Sequence, residues 1–193
     1  MSNIIVQKFG GTSVGSVERI DAVADIIKNA SLSEKIVVVV SAMSGETNKL
    51  VSLAKHFGDN PDKREFDALV STGETISSAL LTMALHSKGV KARSFSATQI
   101  SMKTTSTYSK AKILDVDSNK IMSVIENDTI PIITGFQGVT ETGDITTLGR
   151  GGSDTTAVAI AAQIKAKRCD IYTDVDGIYT TDPKIVSNAK KLD

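Results

Sequence analysis

Four consecutive valines, Val37-Val38-Val39-Val40, restrict the fold more than any other stretch of this sequence. A β-branched run without polar alternation predicts a strand buried on both faces, as in a parallel sheet with helices above and below. Other segments supply its neighbours. The apolar run 4–9 halts at Gly10-Gly11, 91–95 follows the helix-ending Gly89, 130–136 tolerates Pro131 near its start, and 168–173 closes the series. Val17, Ile20, Val23, Ala24 and Ile27 recur at helical spacing behind the N-cap candidate Ser16, with Glu18 in the first turn. Further helices are predicted at 48–56, 61–70, 118–127 and 151–165, and along the stripe Ile76, Ala79, Leu80, Met83 and Ala84, which Gly73 separates from its predecessor. Residues 100–117 read as a hairpin excursion, 140–148 as a polar turn and 174–182 as a loop. Strands separated by helices imply an α/β fold with a mainly parallel sheet, in one domain.

Composition narrows the class. The 193 residues carry 22 basic and 22 acidic side chains, so the formal net charge is zero. That balance argues against a nucleic-acid-binding surface. No run of about 18 apolar residues is present, so no membrane span is expected. The start, MSNIIVQKFGG, has no basic-then-apolar leader, and the single cysteine, Cys169, forms neither an internal disulfide nor a cysteine-based zinc site. The cytosol is the expected compartment.

In open parallel sheets ligands bind beyond the carboxyl ends of the strands. Four of these ends carry Gly, Ser or Thr, residues that bring backbone N–H groups and hydroxyls to an anion. After the first strand, Gly10 to Gly15 has the glycine spacing of a Walker A loop, but Ser16 stands where that loop needs lysine. Lys8 instead precedes the glycines; it reads either as a cation reaching phosphates over the turn or as a solvated lysine beside it. Gly149-Arg150-Gly151-Gly152-Ser153-Asp154 opens a helix, whose N-terminus offers free N–H groups. Arg150 suits a carboxylate or phosphate, or stands on the surface beside a helix cap. For Glu74, in Ser71-Thr72-Gly73-Glu74, a solvated position at a helix start is the favoured reading. Asp174 and Asp176 are spaced as turn formers rather than as a metal pair. His56 and His86 lack acidic or cysteine company and are expected to be structural or on the surface.

The motifs together resemble a known family. Val6-Gln7-Lys8-Phe9-Gly10-Gly11-Thr12-Ser13-Val14 is similar to the N-terminal signature of the aspartate kinases. Val40-Ser41-Ala42-Met43, Ser71-Thr72-Gly73-Glu74, Gly135-Phe136-Gln137-Gly138, Leu148-Gly149-Arg150-Gly151-Gly152-Ser153-Asp154 and Thr173-Asp174-Val175-Asp176-Gly177-Ile178-Tyr179-Thr180-Thr181-Asp182-Pro183 follow in that family's order. The last is shared across the amino-acid-kinase superfamily. The resemblance implies a three-layer αβα sandwich of the carbamate-kinase-like type. It implies transfer of the ATP γ-phosphoryl group to the side-chain carboxylate of L-aspartate, the opening step toward lysine, threonine, methionine and diaminopimelate.

By that resemblance Lys8 stabilises the transferring phosphoryl group, and Gly10, Gly11 and Thr12 cradle phosphate with Ser41 beside them. Glu74 holds the substrate ammonium and Arg150 a carboxylate, with Thr47 close by. Ser153 and Asp154 order the site and Lys8. Thr173, Asp174, Tyr179 and Lys184 line the nucleotide; Lys184 stands where the family often has Arg and so lacks the planar fork. Mg²⁺ is expected on the ATP phosphates, with no protein cage for a metal. Family members continue past the Thr-Asp-Pro motif into the rest of the kinase domain and two ACT-type regulatory domains. The expectation is therefore a catalytic domain over 1–193 that is incomplete at its C-terminus, and a homo-oligomer in the full-length form. A sister kinase acting on glutamate, acetylglutamate or uridylate is an alternative, and so is a non-catalytic fragment that binds nucleotide or a subunit.

Overall fold

A computed structural model describes residues 3–173 and residue 190. In chain order its elements are β1 (Ile4–Phe9), α1 (Val17–Ala30), β2 (Lys35–Val40), α2 (Glu46–Lys55), α3 (Lys63–Val70), α4 (Thr72–Ser87), β3 (Ala92–Phe95), β4 (Lys103–Thr104), β5 (Ile113–Asp115), α5 (Ser118–Glu126), β6 (Ile130–Thr134), β7 (Gln137–Val139), β8 (Ile145–Thr147), α6 (Gly152–Gln163) and β9 (Arg168–Tyr172).

The valine strand β2 stands at the centre of a five-stranded sheet, β3-β6-β2-β1-β9, in which every pairing is parallel. Alternation along the strand splits its valines between two cores. Val38 and Val40 pack with Ile20 and Val23 of α1 and with Leu81 and Leu85 of α4. Val37 and Val39 pack with Ile121 and Ile125 of α5 and with Ala157 and Ile160 of α6. The result is the three-layer αβα sandwich, and it explains why the run carries no polar residue. A second, four-stranded sheet, β5-β4-β7-β8, extends from one end of the first. It contains the expected excursion, with β4 and β5 antiparallel.

Local signals hold at several boundaries. Ser16 Oγ accepts the Arg19 N–H at 3.3 Å and caps α1. Gly89 closes α4 with two reversed bonds, Val90 N–H to the Leu85 carbonyl and Gly89 N–H to that of His86, both at 3.0 Å.

Three expectations need correction. Gly73 does not separate two helices. Ser71 is itself in right-handed helical conformation, and α3 runs into α4 as one helical stretch from Lys63 to Ser87. By length and composition that stretch is apolar enough to cross a membrane, yet half of its most apolar 18-residue window is buried inside the protein, and Asp67 and Glu74 of the stretch are buried too, as befits a core helix. Residues 140–148 are more than a turn: they complete an antiparallel hairpin of β7 and β8. Its polar residues escaped a strand reading because they are satisfied by distant partners; Thr146 Oγ1, fully buried, meets Thr104 Oγ1 at 2.6 Å. The strand read as 130–136 stops at Thr134, and Phe136 takes a left-handed backbone with φ of 67°.

Leu81 lies between α1 and the sheet with no exposed surface. Leu81→Ala is expected to cost about 2–5 kcal/mol of stability, the range for a large buried side chain cut to alanine, read from the midpoint of denaturant unfolding.

Candidate functional site

The adjacent strands β1, β2 and β6 deliver their following turns to one edge of the sheet. Two of these turns touch. A Cβ on Gly11 would stand 2.8 Å from the Ala42 carbonyl oxygen, so only glycine allows the approach, and the Ser44 N–H donates to the Gly11 carbonyl at 3.1 Å. A cleft of about 340 Å³ opens above them. Lys8, Gly11, Ser41, Thr47, Glu74, Arg150, Ser153 and Asp154, all expected from the sequence, line it.

Helix ends differ according to where they point. α1, α3 and α5 are capped by the side chains of Ser16, Asp62 and Asp117. α2 and α6 begin instead at the left-handed glycines Gly45 and Gly151, with no side-chain cap, and both of those glycines line the cleft. First-turn N–H groups without a cap, at the positive end of a helix dipole, suit an anion.

Lys8 follows Ile4 and Val6 on the face of β1 that packs toward α6. It is only 6% exposed. Its Nζ lies 2.7 Å from Asp154 Oδ1 in the first turn of α6. The contact is an ion pair by distance, and that buried oxygen has no hydrogen-bond partner among the described residues. Asp154 otherwise opens to the cleft, its side chain 48% exposed.

Glu74 corrects the expectation of a solvated carboxylate. It is 3% exposed. Its Oε1 accepts the Ala42 N–H at 3.1 Å, while Oε2 is buried with no partner. Burial pushes its pKa up to about 7, against the opposing pull of the Ala42 and Glu74 N–H groups. The geometry requires Gly73, where a Cβ would stand 2.8 Å from that of Ala42. A buried carboxyl oxygen with no donor, facing a polar cleft, matches a ligand ammonium.

Arg150 is exposed on the opposite loop and makes no ion pair among the described residues. Gly10 and Thr12 flank the cleft without lining it. The Gly10 N–H donates to the Tyr172 carbonyl at 3.0 Å, which brings the end of β9 and Thr173 beside the first turn. The Thr12 carbonyl accepts from Arg19 Nη1 at 2.6 Å. Asp174, Tyr179 and Lys184 lie outside the described residues. No group of three or more His, Cys, Asp or Glu side chains that could hold a metal is found among the described residues.

Sequence reasoning quoted Phe136 and Met43 in its motifs without giving them a role in the lining, and it missed Thr156, whose Oγ1 accepts the Phe136 N–H at 3.1 Å. It quoted Gln137 within a motif but gave it no role. This buried side chain accepts from Thr134 Oγ1 at 2.8 Å and donates to the Ser71 carbonyl at 2.5 Å, tying β6 to the helix that carries Glu74.

A model of the amino acid kinase family matches residues 3–193. The chain is 55% identical over 191 residues to an aspartate kinase of Pseudomonas putida, covering 98% of this chain and 46% of that protein. It is 52% identical over 191 residues to aspartokinase 2 of Bacillus subtilis, with 98% and 47% covered. Among solved structures it superposes on Escherichia coli aspartokinase III in complex with aspartate and ADP with a TM-score of 0.86 at 31% identity, covering 98% of this chain and 53% of that one. The chain thus spans about half the length of the curated relatives it matches.

Glu74 generates a pH dependence. Its folded pKa of about 7 stands above the ordinary 4.5 of an unfolded chain, so the native state binds more protons between those values. Stability therefore falls as pH rises from about 4.5 to about 7, by about 3 kcal/mol in all. Glu74→Gln keeps the acceptor for Ala42 and should flatten this slope, read as the difference between unfolding midpoints at pH 5 and pH 8.

Proposed function

The chain belongs to the amino acid kinase family, and from that membership we propose that it is the catalytic region of an aspartate kinase. In this reading it transfers the γ-phosphoryl group of ATP to the side-chain carboxylate of L-aspartate, giving 4-phospho-L-aspartate and ADP. One observation carries the reading: a single cleft gathers Lys8, Arg150, two uncapped helix N-termini and an unpartnered buried carboxyl oxygen. That set matches a substrate with two carboxylates and one ammonium, meeting a polyphosphate. The aspartate kinases at 52–55% identity favour aspartate as the acceptor.

The chemistry needs little proton traffic. A carboxylate with a pKa of about 3.9 is already an anionic nucleophile at neutral pH. Its oxygen attacks the γ-phosphorus, the bond from that phosphorus to the bridging oxygen breaks, and ADP leaves with the electron pair. No general base is required. The obstacle is repulsion between two anions, which fixed cations and oriented N–H groups offset. Lys8, held by Asp154, meets the charge spread over the transferring group. The N-termini of α2 and α6 add N–H donors on either side. Glu74 takes the substrate ammonium, Arg150 its second carboxylate, and Thr47 and Ser153 flank them.

Gly10, Gly11, Thr12 and Ser41 adjoin the phosphates, with Thr173, Asp174, Tyr179 and Lys184 toward the rest of the nucleotide. The cleft fits Mg²⁺ only as a passenger on the phosphates, because its acidic groups are spent on Lys8 and on the ammonium; the ion supplies charge neutralisation when bound.

The test uses the complete natural polypeptide, hydroxylamine trapping of the acyl phosphate, and a panel of aspartate, glutamate, acetylglutamate and uridylate. Aspartate is expected to be the preferred acceptor, and preference for another overturns the reading. Lys8→Ala should lower kcat by about 100- to 1,000-fold with the fold retained, the loss expected for one transition-state charge contact. Arg150→Ala should act first on KM for aspartate.

A further inference from the structure

Asp67 of α3 has no exposed surface and no cationic partner among the described residues, yet nothing about it is unsatisfied. Its carboxylate accepts four hydrogen bonds. Oδ2 takes the backbone N–H groups of Ser109 at 2.8 Å and Thr147 at 2.7 Å. Oδ1 takes the hydroxyls of the same two residues, at 2.9 and 3.0 Å. Ser109 is held in a left-handed backbone with φ of 65°, a conformation a serine keeps only where its surroundings impose it.

Both partners lead to Arg150. Thr147 ends β8, and its carbonyl accepts the Ala111 N–H at 2.9 Å. Next, the Leu148 N–H donates to the Phe136 carbonyl at 3.0 Å. Gly149, with φ of 80°, lies so close to Ser109 that an added Cβ would stand 3.1 Å from the Ser109 carbonyl oxygen. Arg150 follows, without an ion pair of its own among the described residues, so its place over the cleft is set by this loop. Asp67 and Glu74 stand seven residues apart on one continuous helical stretch. That is about two turns, which puts both carboxyls on one face about 10 Å apart along the axis. Glu74 grips the Ala42 wall of the cleft, and Asp67 grips the root of the Arg150 wall.

We infer that Asp67 is a positioning residue for Arg150: it sets the spacing between the ammonium-binding and carboxylate-binding walls, and through it the affinity for the amino-acid substrate. The inference rests on the proposed aspartate kinase reading. It assigns Asp67 no contact with substrate and no charge-dependent role. Asparagine can reproduce the clamp, its amide oxygen accepting the two backbone N–H groups while its NH₂ donates to the two rotated hydroxyls.

The experiment uses the complete natural polypeptide with three variants: Asp67→Ala, Asp67→Asn, and the double variant Ser109→Gly with Thr147→Val. The double variant keeps Asp67 but strips both partners from Oδ1, and it carries the test if Asp67→Ala does not fold. Asp67→Ala and the double variant are expected to raise KM for aspartate about tenfold, the scale of a small misplacement of a binding group, with KM for ATP within about twofold of wild type. Amide hydrogen exchange over residues 148–152 should speed up relative to β1 and β2. Asp67→Asn should restore both. Losses falling equally on both substrates, unchanged exchange in the loop, or Asp67→Asn behaving as Asp67→Ala overturn the inference. If wild type fails to phosphorylate aspartate, the functional reading falls by itself, and the exchange measurement still decides whether Asp67 holds the loop.

Discussion

A lysine ammonium buried at the end of a β-strand is costly unless something of opposite charge meets it. Lys8 is 6% exposed, and Asp154 meets it at 2.7 Å from the first turn of α6. Much of the site's architecture serves that meeting. The side-chain alternation of β1 sends Ile4 and Val6 into the core shared with α6, and the next residue on that face is Lys8. α6 must then begin at the sheet edge, which requires the chain to leave β6, form the β7–β8 hairpin and return through residues 148–151. The pair is asymmetric in exposure: the lysine is enclosed, while the aspartate side chain is 48% exposed even though its Oδ1 is buried against the lysine. A cation arranged this way is neutralised enough to be tolerated, and its field is still directed at whatever enters.

The cleft walls obey the same economy of partners. Helices that face away from it close their N-termini with Ser16, Asp62 or Asp117. The two that start at its rim, α2 and α6, use glycine and leave their first N–H groups without a side-chain cap. A glycine cap gives up about a few tenths of a kcal/mol against a serine or aspartate cap, and it leaves first-turn N–H groups available to water or to an anion. The turns themselves lock together through Gly11 against Ala42, which lets the walls approach without side chains between them.

Most of the scaffold was legible in the sequence, because short-range physics decides it. The valine run needed cover on both faces, Ser16 announced a cap and Gly89 a helix end, and each is found where it was read. The turns that line the cleft were picked out by their glycine, serine and threonine after strands, while the spacing alone left Lys8 and Arg150 open between a ligand contact and a surface position. What escaped was decided over long distances. Gly73 reads as a helix break, but its missing side chain is what lets α4 lie against Ala42. The β8 half of the hairpin reads as a turn because Thr146 and Thr147 are polar, and their partners lie 42 and 80 residues away. Asp67 is anonymous among Lys63, Arg64 and Glu65; its partners are 42 and 80 residues away. Periodicity and caps carry no information about such pairs.

Two carboxyls on one helical stretch show how a structural acid differs from one that awaits a ligand. Both are buried, where a polar group is costly unless hydrogen bonds satisfy it. Asp67 is surrounded by four donors, two of them backbone N–H groups that cannot turn away. A carboxylate so placed has no capacity left for a visitor, and its energy is spent on holding two segments together. Glu74 receives one donor on one oxygen and none on the other, and its pKa rises to about 7 as a consequence. Under the proposed function an arriving ammonium would supply the missing donors and the missing charge at once, making the group half of an ion pair. In the proposed reading, the cost of leaving Glu74 half-satisfied in the empty site is relieved when a substrate amine arrives, and a ligand without a donor there gains nothing from it.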